Sequence, residues 1–478
     1  MTPDKRLPDP QFFATYLERT RWFGGKGRGF TVTDVLRLGQ VPGSSEDGTR
    51  AVIYLVELTY TDVAADAADR TDLYQVPLSF YTDPESRLDH AFVGWWEDPD
   101  HGWVHAYDAL HDREAMACWL RSFAQAAEEE SGPADSPSPL VFHRLPGHEL
   151  DLEAHSALFS GEQSNSSVAF GEDALMKVFR RVTPGINPDI QIHEVLTRAG
   201  SEHVAGLYGW LDTVDAASGS VMQLAMLQQF LRTASDGFEL AKTSVRNLYA
   251  EGDLHADEVG GDFAAEAARL GMAVAEVHEA LRRAFEVGTV DAGFVAGQMR
   301  ERLVAAQAVV PELAQHAAAL RTLFEQVSTL GDVTVQRIHG DLHLGQTLRT
   351  SRGWKIVDFE GEPAKPLAER MLPDSAWRDV AGMLRSFDYA PHVVERTAAD
   401  TDSEGGAQRA YRANEWATRN REAFVDAYIG REPTPAEMLL LRAYEADKAV
   451  YEAVYEARNR PSWIPIPLAA IARLAGTP

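Results

Sequence analysis

The stretch from His339 to Pro363, HGDLHLGQTLRTSRGWKIVDFEGEP, sets two aspartates, a glutamine and a glutamate around a short apolar segment. Asp341 and Gln346 share their part of it with Gly340 and Gly345, which predicts a loop. VTVQRI before it and WKIVDF after it predict flanking strands, with Asp358 ending the second and facing back toward Gln346. A single Asp beside Gly most often caps a turn. Asp-x4-Gln with a further Asp twelve residues on offers more. One carboxylate can accept a hydroxyl proton, and a carboxylate with an amide oxygen can hold a magnesium ion through few protein ligands.

Upstream, GEQSNSSVAFG predicts polar turn residues leading into a strand, and EDALMKVFRRV a second strand carrying Lys177. PGINPDIQIHEVLTRAG then predicts a helix containing Glu194. Phosphoryl transfer asks a protein for a positioned base, metal ligands and a charge clamp on ATP. Lys177, Glu194, Asp341, Gln346 and Asp358 supply them in kinase order.

The bulk of the chain is compatible with this. Its 478 residues predict two or three packed units, and 45% hydrophobic with 24% charged residues is a globular composition. A net charge of −27, with no basic stripe, excludes nucleic acid as a partner. MTPDKRLPDPQFFATYL has no apolar signal core and no long apolar run occurs, so a cytoplasmic protein without membrane contact is expected. Cys118 alone excludes an intrachain disulfide and a cysteine zinc site, and reads as a small buried hydrophobe.

TVTDVLRL, AVIYLVELTYT and residues 73–81 predict strands of a first β-rich region. GGKG in RWFGGKGRGF is not a phosphate loop: no Gly stands five residues before the Gly-Lys pair, and FFATYLERT ahead of it is helical. EEESGPADSPSP (128–139) predicts a linker. From about 235 the chain is mainly helical, with Asp262 capping FAAEAARLGMAVAEVHEALRRAF. Thr434-Pro435-Ala436-Glu437 opens a helix reaching about Asn459.

HGDLHLGQ followed by DFEGEP resembles the Brenner-type and DFG-type motifs of the aminoglycoside phosphotransferase branch of the protein-kinase-like fold. The run through DFEGEPAKPLAERMLPDSAWRDVAGMLRSFDYA resembles actinobacterial maltokinases, including those fused to trehalose synthase. RWFGGKGRGF, EQSNSSVAFG and VYEAVYEARNRPSWIPIPLAAI fit the same family. The resemblance implies an α+β, bilobal protein-kinase-like fold with an N-terminal β-rich cap subdomain and a mainly helical C-terminal lobe. The expected divisions are a cap over 1–90, an intermediate subdomain completing the ATP-binding strands over 91–230, and a helical lobe with catalytic loop and sugar site over 231–478.

By the same resemblance Asp341 is the base, and Gln346 and Asp358 hold Mg²⁺ with Glu360 as a third oxygen donor. Lys177 binds the ATP phosphates and pairs with Glu194, while Ser164, Asn165, Ser166 and Ser167 form a turn covering phosphate through backbone N–H groups. Gln229 and Leu231 belong to the hinge that meets adenine. His339 orients the loop by hydrogen bonding, and Asp379 caps or tethers a helix near it.

Tyr444, Lys448, Tyr451 and Tyr455 recur at spacings of four, three and four on one helix face, beside Glu452 and Glu456. Such a face either packs with polar tips or stacks against a sugar and bonds its hydroxyls. The resemblance favours the sugar, with His343, Lys448, Tyr451, Glu452, Tyr455 and Arg460 as the acceptor residues. It implies ATP-dependent conversion of maltose to maltose 1-phosphate for α-glucan and glycogen synthesis, with trehalose synthase as a potential partner. Alternatives are glucosamine or an aminoglycoside as acceptor, and a catalytically dead kinase fold that serves as a binding module.

Overall fold

The chain divides into two units, Met1–Gln191 with Gly206–Arg232, and Ile192–Ala205 with Thr233–Pro478. The computed structural model describes residues 7–44, 49–64, 70–126, 139–159, 165–215, 218–251, 254–362, 365–397 and 403–476. The first unit begins with α1 (Pro10–Arg19), where Pro10 occupies the first turn and the Asp9 carboxylate accepts the Gln11 N–H at 2.9 Å. The β-branched and aromatic runs that follow form β1 (Phe30–Gln40), β2 (Arg50–Tyr60), β3 (Thr71–Tyr81), β4 (Phe92–Asp98) and β5 (Gly102–Asp108). They make an antiparallel sheet in the order β1-β2-β3-β5-β4, packed on Phe13, Leu17 and Trp22. The strands expected at 31–60 and 73–81 are present, and GGKG lies in turns between α1 and β1, where no strand precedes it.

Helix α2 (Arg113–Gln125) leads to a second antiparallel sheet. Its elements are β6 (Val141–Arg144), β7 (Ser156–Leu158), β8 (Asn165–Phe170), β9 (Ala174–Phe179), β11 (Leu207–Val214) and β12 (Val221–Gln229), ordered β6-β11-β12-β9-β8-β7, with β10 (Arg181–Val182) and α3 (Pro188–Arg198) between β9 and β11. The linker expected at 128–139 lies outside the described residues except for Pro139.

Within this unit the two sheets are joined at β10, which pairs with β3, Arg181 opposite Tyr74. Beside the junction Arg180, 1% exposed, donates from Nη2 to Asp108 Oδ2 at 2.7 Å and from Nε to Ser166 Oγ at 2.8 Å. Tyr16 Oη donates to the same aspartate at 2.5 Å, and the guanidinium lies 4.3 Å from the Trp22 ring centre. Burial alone would push the Asp108 carboxyl up; Arg180, with His111 and Tyr16, outweighs it and holds the carboxyl below its ordinary value.

The second unit carries β13 (Ser235–Asp236), α4 (Gly237–Ala250), α5 (Ala264–Ala284), β14 (Gly288–Asp291), α6 (Ala292–Gln307), α7 (Ala317–Val327) and β15 (Asp332–Val335). It continues through β16 (Thr347–Thr350), β17 (Gly353–Ile356), α8 (Leu367–Arg370), α9 (Trp377–Thr397), α10 (Ser403–Ile429), α11 (Pro435–Asn459) and α12 (Pro465–Gly476). Leu270, Val274, Leu344, Phe387, Trp416 and Val450 meet in one core. Asp262 accepts the Ala264 N–H at 3.1 Å, although the helix starts one residue later than a simple cap would place it, after Phe263. The capping box of α11 is complete: Thr434 Oγ1 accepts the Glu437 N–H at 3.2 Å and the Glu437 carboxylate accepts the Thr434 N–H at 2.8 Å. Among the described residues no helix is long and apolar enough to cross a membrane. The chain is thus α+β, with strands concentrated in the first unit and helices in the second.

Removing one member of a buried ion pair strands the other charge in a low-dielectric site. Asp108→Asn should therefore destabilise the protein by roughly 3–5 kcal/mol. The volume-matched double change Asp108→Leu with Arg180→Met should cost less than the single one. Thermal and urea unfolding of the three proteins checks both, and a double variant as unstable as the sum of its parts would contradict the ion-pair account.

Candidate active site

The loop from His339 to Gln346 lies between β15 and β16 and is held by its backbone. Asp379, in the first turn of α9, accepts the His339 N–H at 2.7 Å and the Gly340 N–H at 2.9 Å, and its Oδ2 lies 3.0 Å from His278 Nε2. Asp379 is the tether expected of it. Burial raises its carboxyl, but His278, His339 and the Gly340 N–H bring it below the ordinary carboxylate value. His339 Nε2 lies 3.0 Å from the Val357 carbonyl oxygen, while Nδ1 accepts the Asp341 N–H at 3.3 Å. Those two bonds suit the neutral ring protonated on Nε2, an orienting histidine rather than a metal ligand. Leu344 N–H is taken by Ser386 Oγ at 3.1 Å.

The segment that follows differs from the two-strand expectation. TLRT and GWKI form a hairpin, Thr347 opposite Ile356, so a strand lies within the stretch read as loop. The second strand ends at Ile356, and Asp358 stands two residues beyond it. Asp358 has φ +67°, the one non-glycine residue with positive φ among the described residues. An L-residue in that region is strained, and such strain persists where surrounding contacts overdetermine it. Gln346 Nε2 donates to Asp358 Oδ2 at 3.0 Å, so the expected facing of these side chains is present. Asp358 and Glu360 also offer carboxylate oxygens within 4.8 Å of one another. An all-oxygen set of two carboxylates and an amide fits a hard divalent cation, once the Gln346 amide turns its oxygen toward Asp358.

Asp341 projects from this loop, and Lys448 on α11 donates to its Oδ1 at 3.1 Å. Among the described residues Oδ2 has no protein partner. Burial would raise the Asp341 carboxyl; Lys448, with the His343 and His339 imidazoles, overrides burial and holds it below its ordinary value. His343 Nδ1 accepts the Gly345 N–H at 3.1 Å, which leaves Nε2 for another partner. Lys448 Nζ also stands 5.1 Å from the Tyr451 ring centre. Glu452, the next residue, is bound by the buried Arg385 at 2.8 Å, and burial still holds its carboxyl above the ordinary value. Farther along α11, Tyr455 is exposed and Arg460 binds Glu456 at 2.7 Å while lying 5.6 Å from the Tyr455 ring. Tyr444 is buried and donates to Asp374 at 3.1 Å, so it packs rather than lines a site. The second unit therefore gathers Asp341, His343, Lys448 and Tyr451 closely, with Tyr455 and Arg460 up to twelve residues, or roughly 18 Å of helix, beyond Lys448.

In the first unit Lys177 lies on β9, opposite Ser167, and donates to Asp189 at 2.9 Å. Asp189 is a partner that motif spacing did not single out; its signal is an acidic residue in the first turn of α3, where the helix dipole favours it. Glu194, later in that helix and counted with the second unit, accepts from Arg198 at 3.0 Å. Asn165, Ser166 and Ser167 are strand residues of β8 rather than the expected turn: Val168, Ala169 and Phe170 extend the pairing with β9 back through them, burying Ser166 and Ser167. Ser164 lies outside the described residues. Gln229 ends β12 with its N–H on the Gly206 carbonyl at 2.8 Å, and Phe230 donates to Asp173 at 2.7 Å. Leu231 is the first residue past those sheet bonds.

A family model for the maltokinase N-terminal cap domain matches residues 16–112. The chain is 30% identical over 325 residues to a glucosamine kinase of Streptacidiphilus jiangxiensis, covering 64% of this chain and 70% of that one. It is 28% identical over 333 residues to a glucosamine kinase of Mycolicibacterium smegmatis (strain ATCC 700084 / mc(2)155), covering 66% and 78%. A solved glucosamine kinase in complex with glucosamine, ADP and inorganic phosphate aligns over 99% of this chain and 100% of its own, with a TM-score of 0.67 and 23% identity. That likeness extends the kinase fold over the whole chain.

The Asp341 carboxyl should titrate below its ordinary value, and Lys448→Met should raise it, because the strongest charge opposing burial is then gone while the two histidines remain. Its folded-state stabilisation is present at neutral pH and is lost only as pH falls through that depressed value. Carbon-detected NMR of Asp341 in both proteins measures the direction; an unmoved titration would remove Lys448 as the cause.

Proposed function

The chain belongs to the maltokinase-like family of capped sugar kinases, and on that premise we propose that it transfers the γ-phosphoryl group of ATP to maltose, giving maltose 1-phosphate. The observation that carries this reading is the 3.1 Å bond between Asp341, on the loop, and Lys448, on the helix face that bears Tyr451. It puts a carboxylate with a free oxygen beside an aromatic and hydrogen-bonding surface suited to a sugar.

In the proposed reaction the sugar hydroxyl oxygen bonds to the γ-phosphorus as the bond to the β-phosphate oxygen breaks, and the hydroxyl proton passes to Asp341. The depressed carboxyl keeps Asp341 ionised as an acceptor. His339 and Asp379 hold the loop so that this acceptor is in place before the substrate arrives. Gln346, Asp358 and Glu360 would hold Mg²⁺, which when bound neutralises phosphate charge. Lys177, held by Asp189 and with Glu194 as a further carboxylate on the same helix, would bind the ATP phosphates, and Gln229 and Leu231 would meet adenine. Backbone N–H groups would serve phosphate from the Asn165 end of β8. His343, Lys448, Tyr451, Glu452, Tyr455 and Arg460 would form the acceptor side. The product would feed α-glucan and glycogen synthesis, with trehalose synthase as the partner supplying maltose in the cytoplasm.

A second acceptor, glucosamine, has a specific observation in its favour: two of the relatives this chain matches, at 30% and 28% identity, are glucosamine kinases. A catalytically dead binding module is disfavoured, since Lys177, Asp341 and Asp358 are all present.

ATP consumption with magnesium and maltose, glucose, glucosamine or kanamycin, followed by product identification, decides among these. Maltose-dependent ADP release with maltose 1-phosphate formed is expected; turnover with glucosamine alone would replace the acceptor, and silence on all four would revive the binding module. Asp341→Asn should lower kcat by about 10²–10⁴-fold, the usual worth of a general base, while nucleotide binding persists. Unchanged turnover would remove Asp341 from that role.

A further inference from the structure

We propose that Lys448 is a charge filter at the acceptor site, admitting a neutral sugar and disfavouring one with an ammonium group beside the reacting hydroxyl. The inference rests on the sugar-kinase reading above and concerns how that site selects between maltose-like and amino-sugar acceptors. Lys448 Nζ lies 3.1 Å from Asp341 Oδ1. A hydroxyl that gives its proton to Asp341 must stand within hydrogen-bond reach of the carboxylate, hence within roughly 8 Å of the lysine ammonium even when it bonds the oxygen that Lys448 leaves free. Lys448 already neutralises the Asp341 carboxylate as its ion-pair partner, so a second cation on the neighbouring sugar carbon gains no net attraction from the base and meets the lysine's repulsion in a partly desolvated site, where it is stronger than in water.

Such a cation could still be accepted if a spare carboxylate faced it, as an amino-sugar site requires. The carboxylates behind this part of α11 are already engaged. Arg385 binds Glu452 at 2.8 Å and also binds Asp388. Arg421 binds Glu445 at 2.8 Å, and Arg473 binds both Asp388 at 2.7 Å and Glu445 at 2.9 Å. Three guanidiniums thus match three carboxylates, and the set presents no surplus negative charge to the site. Glu362, which bonds Tyr451, is held by Arg378 at 2.9 Å and has Lys365 at 3.6 Å. Glu456 is taken by Arg460 at 2.7 Å and by Tyr389 at 3.1 Å. The net charge of −27 does not compensate, because exposed charges beyond about 8–10 Å are screened at physiological salt. A neutral sugar needs no such partner: the lysine donates to a hydroxyl oxygen, and the Tyr451 ring, 5.1 Å from Nζ, offers a face to its C–H surface.

The bond changes are the same for either acceptor, so the filter acts through acceptor binding. Glucose and glucosamine form the matched pair, differing only in hydroxyl against amine at C2. Their kcat/KM values, and their inhibition constants against maltose turnover, are measured at pH 6.5 and pH 9 for wild type, Lys448→Met and Lys448→Arg. At pH 6.5, where the amine is charged, wild type and Lys448→Arg should disfavour glucosamine at least tenfold. The gap should close toward unity at pH 9, and in Lys448→Met it should fall below threefold already at pH 6.5, whatever the loss in absolute rate. Equal or better use of glucosamine by wild type at pH 6.5, or a gap that Lys448→Met leaves unchanged, would overturn the filter while the kinase reading stands. Should Lys448→Met fail to fold, the wild-type pH comparison alone decides the matter: a gap that does not close by pH 9 overturns the filter. No turnover with any sugar would overturn the kinase reading itself, and the filter with it.

Discussion

The buried carboxylate of Asp379 is the constraint on which the active-site loop depends. A loop carrying Gly340 and Gly345 has many accessible conformations, and ordering it opposes folding by roughly 1–2 kcal/mol of backbone entropy per residue. Asp379 offsets part of that by accepting two consecutive N–H groups, those of His339 and Gly340, with charge-assisted bonds. His278 in turn bonds the same carboxylate, and Tyr428 Oη lies 2.9 Å from the other ring nitrogen of His278. The chain of contacts runs from α10 through α5 to α9 and ends on the loop backbone. With the backbone fixed, His339 can bond Val357 on the far side of the hairpin, and the positive φ of Asp358 becomes a tolerable strain because both neighbours of the turn are anchored.

Behind α11 a second set of buried charges does a different job. Arg385, Arg421 and Arg473 come from three helices and meet Asp388, Glu445 and Glu452 in a nearly closed ionic cluster. Replacing such clusters with packed hydrophobes is often neutral for stability, so their energetic contribution is a weak reason for their presence. Their effect on position is stronger. Guanidinium forks bind carboxylates with defined geometry, and here they set the rotation of α11 relative to α9, which decides that Lys448 and Tyr451 face the loop while Tyr444 faces the core. The cluster also neutralises its own acids, which leaves the lysine to the base alone, at 3.1 Å from Asp341 Oδ1.

Much of this was legible in the residues. The capping box at Thr434 and the Gln346–Asp358 facing follow from short-range rules, and the structure carries both. Lys448 was legible only as one member of a helical face; its bond to Asp341 spans 107 residues, and no periodicity encodes that. Asp189 was missed for a related reason: an acid after Pro188 reads as dipole complementarity, and only the antiparallel placement of β9 brings Lys177 to it. Reading Ser166 and Ser167 as turn residues followed their low strand propensity, which the register with β9 overrode. The hairpin strand TLRT was hidden because four residues carry too little pattern to separate strand from loop.

The cap illustrates how far such non-local contacts reach. Alternation along β9 puts Met176, Val178 and then Arg180 on the face opposite Lys177. One face of this hairpin therefore presents the lysine, while the other ends in a guanidinium bound to Asp108, Ser166 and the Trp22 ring. Gln75 of β3 adds a side-chain bond to the Phe179 carbonyl at 2.6 Å, so the backbone at the end of β9 is gripped from the same side. A strand held on both its side chains and its carbonyls has little freedom to twist, and twist is what would move Lys177. The N-terminal sheet is thus built into the first unit as the support of the lysine strand, which explains why the two sheets fall into a single unit rather than separating at the segment between α2 and β6.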